Sequence, residues 1–311
     1  MLTEIEFAEQ LGFDSAWLRH RHMQPGISSP VAIMAAASQR TSRIELGTAV
    51  TPLGAENPFR LAEDLATVDV LSGGRINPGF SVGTPMNFEY FRDSIYPGTA
   101  DLENLSYDRL GRFLDLIRGG PVWDFEGKRD VVEVFTKSVQ PQSPGLADRV
   151  WYGGGSGPSM EWAGSHGLNL LTSSVVKSED GSADFAAIQR SQIDLFRSFH
   201  PLGEAARVSQ GLVVIPTDTA TAAQKAKYEA YVEARTPRTT APQGPAKLLF
   251  APDLIGSSEE IAEQLQAHAG YQAVDEVAFA LPFSFEHEDY VQILTDMATR
   301  LGPALGWSPS S

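Results

Sequence analysis

The chain has 311 residues, 42% of them hydrophobic, with 24 Lys and Arg against 39 Asp and Glu for a formal net charge of −15. That balance argues against nucleic acid and anionic membrane as partners, since both need a positive patch, and the short run Arg19-His20-Arg21-His22 does not supply one. The absence of cysteine excludes disulfides, thiolate nucleophiles and zinc–thiolate sites and fits a cytoplasmic protein. No apolar run approaches the roughly 20 residues that span a bilayer, and the acidic, amphipathic N-terminus is no signal peptide.

In chain order, Thr3 to Leu11 reads as a helix stopped by Gly12, followed by a short strand, Ser15 to Arg19. Ser28-Ser29-Pro30 caps a helix reaching about Gln39. The stretch Arg43 to Gly83 is the centre of the pattern. It contains an apolar strand, Ile44 to Val50, a helix from Pro58 to Leu71, a Ser72-Gly73-Gly74 stop, and a second strand from Arg75 to Val82. Strand, crossover helix and strand at this spacing make a parallel βαβ unit. A less regular stretch, Pro85 to Val139, contains a helix from Leu102 to Arg118.

Arg149 to Tyr152 then reads as a strand, Gly153 to Gly157 as a glycine loop and Ser159 to His166 as a short helix. The alternation continues with strands at Leu168–Ser173 and Arg207–Ile215 and helices at Phe185–Phe199 and Ala220–Arg235. Residues 236–253, rich in Pro, Thr, Ala and Gly, read as a mobile loop. A helix opening at Ser257, a last strand from Val274 to Leu281 and a helix from Asp289 to Leu305 complete the chain. Regular βα alternation argues for a parallel sheet closed into a barrel.

The run LGTAV, then NPFRLAEDLATVDVLSGGR, then a strand ending in spaced glycines resembles the bacterial luciferase-like, flavin-dependent oxidoreductases. The resemblance implies an α/β TIM (β/α)8-type barrel, a single domain over residues 1–311 with an insertion at about 85–148. Only seven core strands are legible, beginning at Ser15, so the barrel is expected without its first strand. The implied activity is a monooxygenase using reduced FMN and O2 on a small organic substrate. A separate NAD(P)H:flavin reductase is implied as the source of reduced flavin. Two alternatives stay open: a dehydrogenase of the same fold using a deazaflavin coenzyme, and a flavin-binding relative without catalytic activity. A homodimer through the helices Pro30–Gln39 and Pro58–Leu71 is implied as well.

Barrel enzymes place their sites at the C-terminal ends of strands. There the resemblance implies a non-prolyl cis peptide at Ala49–Val50 behind the flavin ring, with the Thr48 and Thr51 hydroxyls toward its polar edge. The loop Gly153-Gly154-Gly155-Ser156-Gly157 follows a strand and precedes a helix, the geometry of a phosphate cradle. The resemblance assigns it the cofactor phosphate, with amides from Gly154 and Gly155 and hydroxyls from Ser156 and Ser159. Ser81 stands where luciferase has a reactive cysteine, and Val82 where it has an arginine reaching the phosphate; Arg75 is then a candidate for neutralising that charge, the alternative being a carboxylate partner at the barrel's foot.

After the strand Ser15–Arg19, the family shows Glu-His-His, and this chain has His20, Arg21 and His22 at those positions. Arg21 and His22 are therefore the catalytic candidates, the first to hold an anion and the second to titrate near neutrality. Phe88, Tyr90, Phe91, Tyr96 and Trp123 could wall an apolar substrate pocket. No metal motif is expected: His20 and His22 form the one HxH pair, and no paired carboxylates accompany it.

Overall fold

The computed structural model describes residues 1–310. The chain is α/β and forms two compact units, one of residues 17–151 and one of residues 1–16 together with those from 152 onward.

In the unit of residues 17–151, the strand Glu45–Thr48 lies between Ser15–Leu18 and Ile76–Asn77. It runs parallel to Ile76–Asn77, with Leu46 opposite Ile76 and Gly47 opposite Asn77. Thr51–Pro52 continues the chain direction and pairs in parallel with Gly79–Ser81. The expected strand Ile44–Val50 is thus two short pieces, interrupted at residues 49 and 50. Gly47 is required by packing: a Cβ there would lie 2.4 Å from the Trp17 ring, too close for any side chain. Trp17 in turn meets Trp151 edge-on at 5.3 Å, and Trp151 Nε1 donates to Asn77 Oδ1 at 3.1 Å.

The helix Pro58–Ser72 begins where expected for a local reason. Asn57 Oδ1 accepts from the backbone N–H of Phe59 at 3.0 Å and of Arg60 at 3.2 Å, and Pro58 fills the first position, where no donor is needed. It stops at Gly73, whose φ of 73° is left-handed. Leu61, Leu65, Val68 and Ala62 of this helix are buried with Ile44, Leu46, Ile76, Phe80, Leu110 and Phe113.

Two charged side chains brace the foot of the βαβ segment. Asp69, fully buried, accepts from Ile76 N–H at 3.0 Å, from Arg149 Nη2 at 2.6 Å and from Ser143 Oγ at 2.5 Å. Arg75 donates through Nε to the Ser72 carbonyl, through Nη1 to Ile44 O and Thr41 Oγ1, and through Nη2 to the Ser38 and Thr41 carbonyls. Its nitrogens are engaged by backbone carbonyls and the Thr41 hydroxyl, which removes it as a candidate for neutralising a phosphate.

The stretch read as irregular holds more structure than expected. Phe88–Ile95 is a helix that the sequence reading lacks, the helix expected at Leu102–Arg118 begins only at Tyr107, and Lys128–Arg129 forms an antiparallel hairpin with Val134–Phe135. The late start follows from Ser106, whose side chain caps the Asp108 N–H at 3.3 Å.

The other unit has parallel strands Asn169–Thr172, Val208–Gln210 and Glu276–Val277, the middle one pairing with both others. Val214–Pro216 runs parallel to Leu254–Gly256. Between strands lie the helices Gly157–Ser165, Phe185–Phe199, Ala222–Arg235 and Ser258–Ala267. Val214, Ile215, Leu249, Ile261, Leu265, Ile293 and Leu301 build the core, with Tyr228 stacked on Phe285 at 4.8 Å. Leu248–Phe250, inside the stretch read as loop, is a strand antiparallel to Val175–Lys177. It forms where the short apolar run Leu248–Ala251 interrupts the polar and Pro-rich context, burying Leu249 completely. The expected closing helix Asp289–Leu305 is three pieces: His287–Asp296, a π-helical turn Met297–Leu301, and Gly302–Ala304. The last strand shrinks to Glu276–Val277 plus one bridge between Ala280 and Val213. No described helix is long and apolar enough to cross a membrane.

Candidate functional site

In the unit of residues 17–151, the peptide between Ala49 and Val50 is cis, as the resemblance implies. It sits between the strands Glu45–Thr48 and Thr51–Pro52, with Ala49 exposed. Thr48 is buried and its hydroxyl is engaged on both sides, donating to Gly79 O at 2.8 Å and accepting from Gly79 N–H at 2.9 Å. The side chain therefore ties two strands together, and its proton is used there. Thr51 is buried in its strand pair opposite Phe80. Ser81 lies half-buried at the end of Gly79–Ser81.

The loop after Leu18 folds back on itself, Arg21 N–H donating to Ile27 O at 3.0 Å. This buries His20 to 2% exposure and leaves Arg21 and His22 half-buried. The rings of His20 and His22 are 4.6 Å apart, and His22 also lies 4.9 Å from Phe91. Neither ring nitrogen of His20 has a hydrogen-bond partner, and the same is true of His22 Nε2 and Arg21 Nε. Burial, then the neighbouring His22, pushes His20 down to about 4; the Ser28 backbone opposes this without reaching a hydrogen bond of ordinary geometry. Burial also lowers His22 and Arg21.

A single carboxylate, Glu56, joins this pair in the fold. Glu56 follows the 3₁₀ turn Leu53–Ala55 and immediately precedes the Asn57 cap. One ligand-type atom each from His20, His22 and Glu56 lie within 4.8 Å of one another. The Glu56 backbone carbonyl is clamped by Arg109, which donates Nε at 3.1 Å and Nη2 at 2.9 Å. Burial and the nearby Asp64 carboxylate push Glu56 up to about 7, with Arg109 opposing. Sequence reading misses Glu56 because it is 34 positions from His22 and lies among residues already explained as strand end and helix cap.

The aromatic wall divides. Phe88, Phe91 and Tyr96 pack with Ala55 into a small cluster, whereas Tyr90 is 72% and Trp123 is 85% exposed. Tyr96 OH donates to Gly54 O at 3.1 Å. Phe91 is thus the aromatic that reaches the histidines, and Tyr90 and Trp123 stand in solvent.

In the other unit, the glycine loop leads from Trp151–Gly153 into the helix Gly157–Ser165. Ser156 and Ser159 form a capping box: Ser156 N–H donates to Ser159 Oγ at 3.1 Å, and Ser159 Oγ donates to Ser156 O at 2.7 Å. Ser159 is buried, so its hydroxyl serves the helix start. The Ser156 hydroxyl lies 3.0 Å from it. Gly154 has no room for a side chain, since a Cβ would meet Met160 Cε at 2.8 Å and Ser159 Oγ at 2.9 Å. The Gly155 carbonyl accepts from Lys177 N–H at 2.7 Å and Gln192 Nε2 at 3.0 Å. At the helix start, Gly157 N–H donates to the Glu179 carboxylate at 3.3 Å. An anionic oxygen is accepted where helix charge favours one, and Glu179 is exposed enough to yield the place. The loop therefore fits an anionic group, through backbone and the Ser156 hydroxyl more than through Ser159.

Solved structures of similar fold define the class. The chain matches the oxygenating constituent of 3,6-diketocamphane monooxygenase from Pseudomonas putida in complex with FMN, a type II Baeyer–Villiger monooxygenase. The TM-score is 0.67 at 15% identity, covering 97% of this chain and 91% of that one. It also matches the coenzyme F420 dependent tetrahydromethanopterin reductase of Methanopyrus kandleri, with a TM-score of 0.64 at 15% identity, covering 98% and 96%. The fold is thus α/β of the TIM-barrel type. The model of the luciferase-like monooxygenase family matches residues 1–276, and the chain belongs to that family. Among sequence relatives, limonene 1,2-monooxygenase of Rhodococcus erythropolis is 41% identical over 84 residues, 26% of this chain and 22% of the relative. The chain spans about half or less of the length of the curated relatives it matches.

Proposed function

We propose that the chain is a flavin-dependent oxidoreductase, a monooxygenase using reduced FMN and O2 on a small organic substrate. The family match over residues 1–276 carries the reading, and the monooxygenases among its relatives favour this activity over the others. In this reading the amides of Gly154 and Gly155 and the Ser156 hydroxyl hold the phosphate, while Ser159 braces the helix start they depend on. Ala49 and Val50 support the flavin ring, and Thr48 and Ser81 shape the strand ends around it. Bound reduced FMN supplies the electrons that activate oxygen; the protein binds, orients and excludes water. Arg21 holds negative charge on the substrate, and His22, neutral through burial, carries a proton at Nε2. A separate NAD(P)H:flavin reductase delivers the reduced cofactor. A dimer through the helices Pro30–Ser38 and Pro58–Ser72 belongs to the same reading, and Val70 and Leu71 of the second helix are 53% and 55% exposed.

A second reading, hydride transfer with a deazaflavin coenzyme, draws on the fold shared with the coenzyme F420 dependent reductase. Anaerobic titration of the purified protein with reduced FMN and, in parallel, the deazaflavin coenzyme separates the two. Preferential binding of reduced FMN followed by oxygen uptake on admitting air is the expected result. Preference for the deazaflavin moves the assignment to a dehydrogenase. Flavin binding with neither oxygen uptake nor hydride transfer identifies a non-catalytic flavin binder, and a folded protein that binds neither cofactor overturns the flavin reading.

A further inference from the structure

We propose that His20, His22 and Glu56 form a mononuclear binding site for a divalent first-row transition metal. Three observations, all within the unit of residues 17–151, converge on it. First, two imidazoles and one carboxylate present a ligand atom each within 4.8 Å of one another. Donors bound to one tetrahedral ion at about 2.0–2.2 Å stand roughly 3.4 Å apart, a contraction that side-chain rotation supplies. Second, His20 is buried to 2% exposure with both ring nitrogens unpartnered, and His22 Nε2 is unpartnered as well. Burying polar atoms without partners is unfavourable, and the Ser28 backbone beside His20 falls short of a hydrogen bond of ordinary geometry. Third, the arrangement is held in place from outside: the Glu56 backbone is clamped by Arg109, and the His22 ring is backed by Phe91.

The donor set decides the class of ion. Two imidazole nitrogens with one carboxylate oxygen suit Zn²⁺, Fe²⁺, Co²⁺ or Ni²⁺, while Ca²⁺ and Mg²⁺ prefer all-oxygen shells. The neutral imidazole is the form that has a lone pair to give a metal ion. Arg21, between the two histidines in sequence, works against a cation, and Glu56 supplies the compensating negative charge once it gives up its proton. Three protein ligands leave positions open for water or another small ligand. The inference goes beyond the flavin reading. A His22 that coordinates through Nε2 cannot carry a proton at that atom, so metal occupancy through Nε2 and that role exclude each other.

The test uses the full chain freed of flavin and metal, titrated with Zn²⁺ by calorimetry and with Co²⁺ by its ligand-field absorption. One ion per chain is expected, with affinity falling by more than about tenfold in His22→Ala and in Glu56→Gln. His166→Ala, at an exposed histidine elsewhere, should bind as the unmodified protein does. The Glu56→Gln variant keeps size and hydrogen bonding, so its folding, checked by circular dichroism, preserves the test if His22→Ala is unstable. No binding, or binding unchanged in both site variants, overturns the proposal. Flavin binding is absent from the experiment, so either outcome leaves the flavin reading as it stands.

Discussion

Two carboxylates in the unit of residues 17–151 lie thirteen positions apart and are treated in opposite ways. Asp69 is fully buried and accepts hydrogen bonds from Ile76 N–H, Ser143 and Arg149. Glu56 stands beside His20, both of whose ring nitrogens lack partners, and His22, whose Nε2 does, and burial pushes its carboxyl up to about 7. A buried charge met by donors on every side is part of the scaffold. A carboxylate left with imidazoles that themselves need partners is a place prepared for something the chain does not provide. The contrast separates architecture from site better than burial does, since both regions are poor in solvent.

The comparison breaks or sharpens through stability measurements. Asp69→Ala should be the most damaging change, because it strands the Arg149 guanidinium and the Ile76 amide. A loss of about 3–5 kcal/mol in urea denaturation is expected, and a loss under about 1 kcal/mol would show that the node is not structural.

His20 should appear next, as a pH dependence. Its folded-state value of about 4 lies below the ordinary 6.5, so the unfolded chain takes up a proton first. Relative to His20→Gln, the native protein should lose stability as pH falls from 6.5 to 4, on the order of 2 kcal/mol in total, and level off below that. Parallel curves for the two proteins would mean that the imidazole has a partner in solution.

Asn57→Ala should cost about 1 kcal/mol through loss of the cap on the helix Pro58–Ser72. Its neighbour Glu56 should behave the other way. A carboxyl raised to about 7 favours folding below its ordinary value of 4.5 and loses that contribution as pH rises through 7. Glu56→Gln should therefore leave stability within about 0.5 kcal/mol near pH 4.5 and gain on the native protein as pH rises toward 8. A Glu56→Gln protein that weakens at every pH would place Glu56 with Asp69 as scaffold.

Much of the molecule is legible along the chain because its causes are local. The helix Pro58–Ser72 is written by Asn57, Pro58 and Gly73, and the helix Gly157–Ser165 by the Ser156–Ser159 capping box. The parallel strands Asn169–Thr172 and Val208–Gln210 fall inside the stretches Leu168–Ser173 and Arg207–Ile215 that read as strands from the regular alternation with helices. The family is legible in the run from Leu46 to Arg75, and with it the cis peptide at Ala49–Val50, which residue types alone do not suggest.

What escapes the sequence depends on partners far along the chain. Thr48 reads as a hydroxyl offered to the flavin until Gly79 engages it, and Arg75 as the partner of a phosphate or a carboxylate until it reaches backbone carbonyls from Ser38 to Ser72. Leu248–Phe250 becomes a strand only because Val175–Lys177 offers an edge and Leu249 a burial site. The His20–His22 pair is visible as a spacing, but Glu56 joins it only once the crossover has been folded. Periodicity, caps and glycines determined the elements and the family, since each acts over a few residues. Which polar atoms end up satisfied, and which are left waiting beside one another, was decided by tertiary structure, because satisfaction depends on who arrives across the fold.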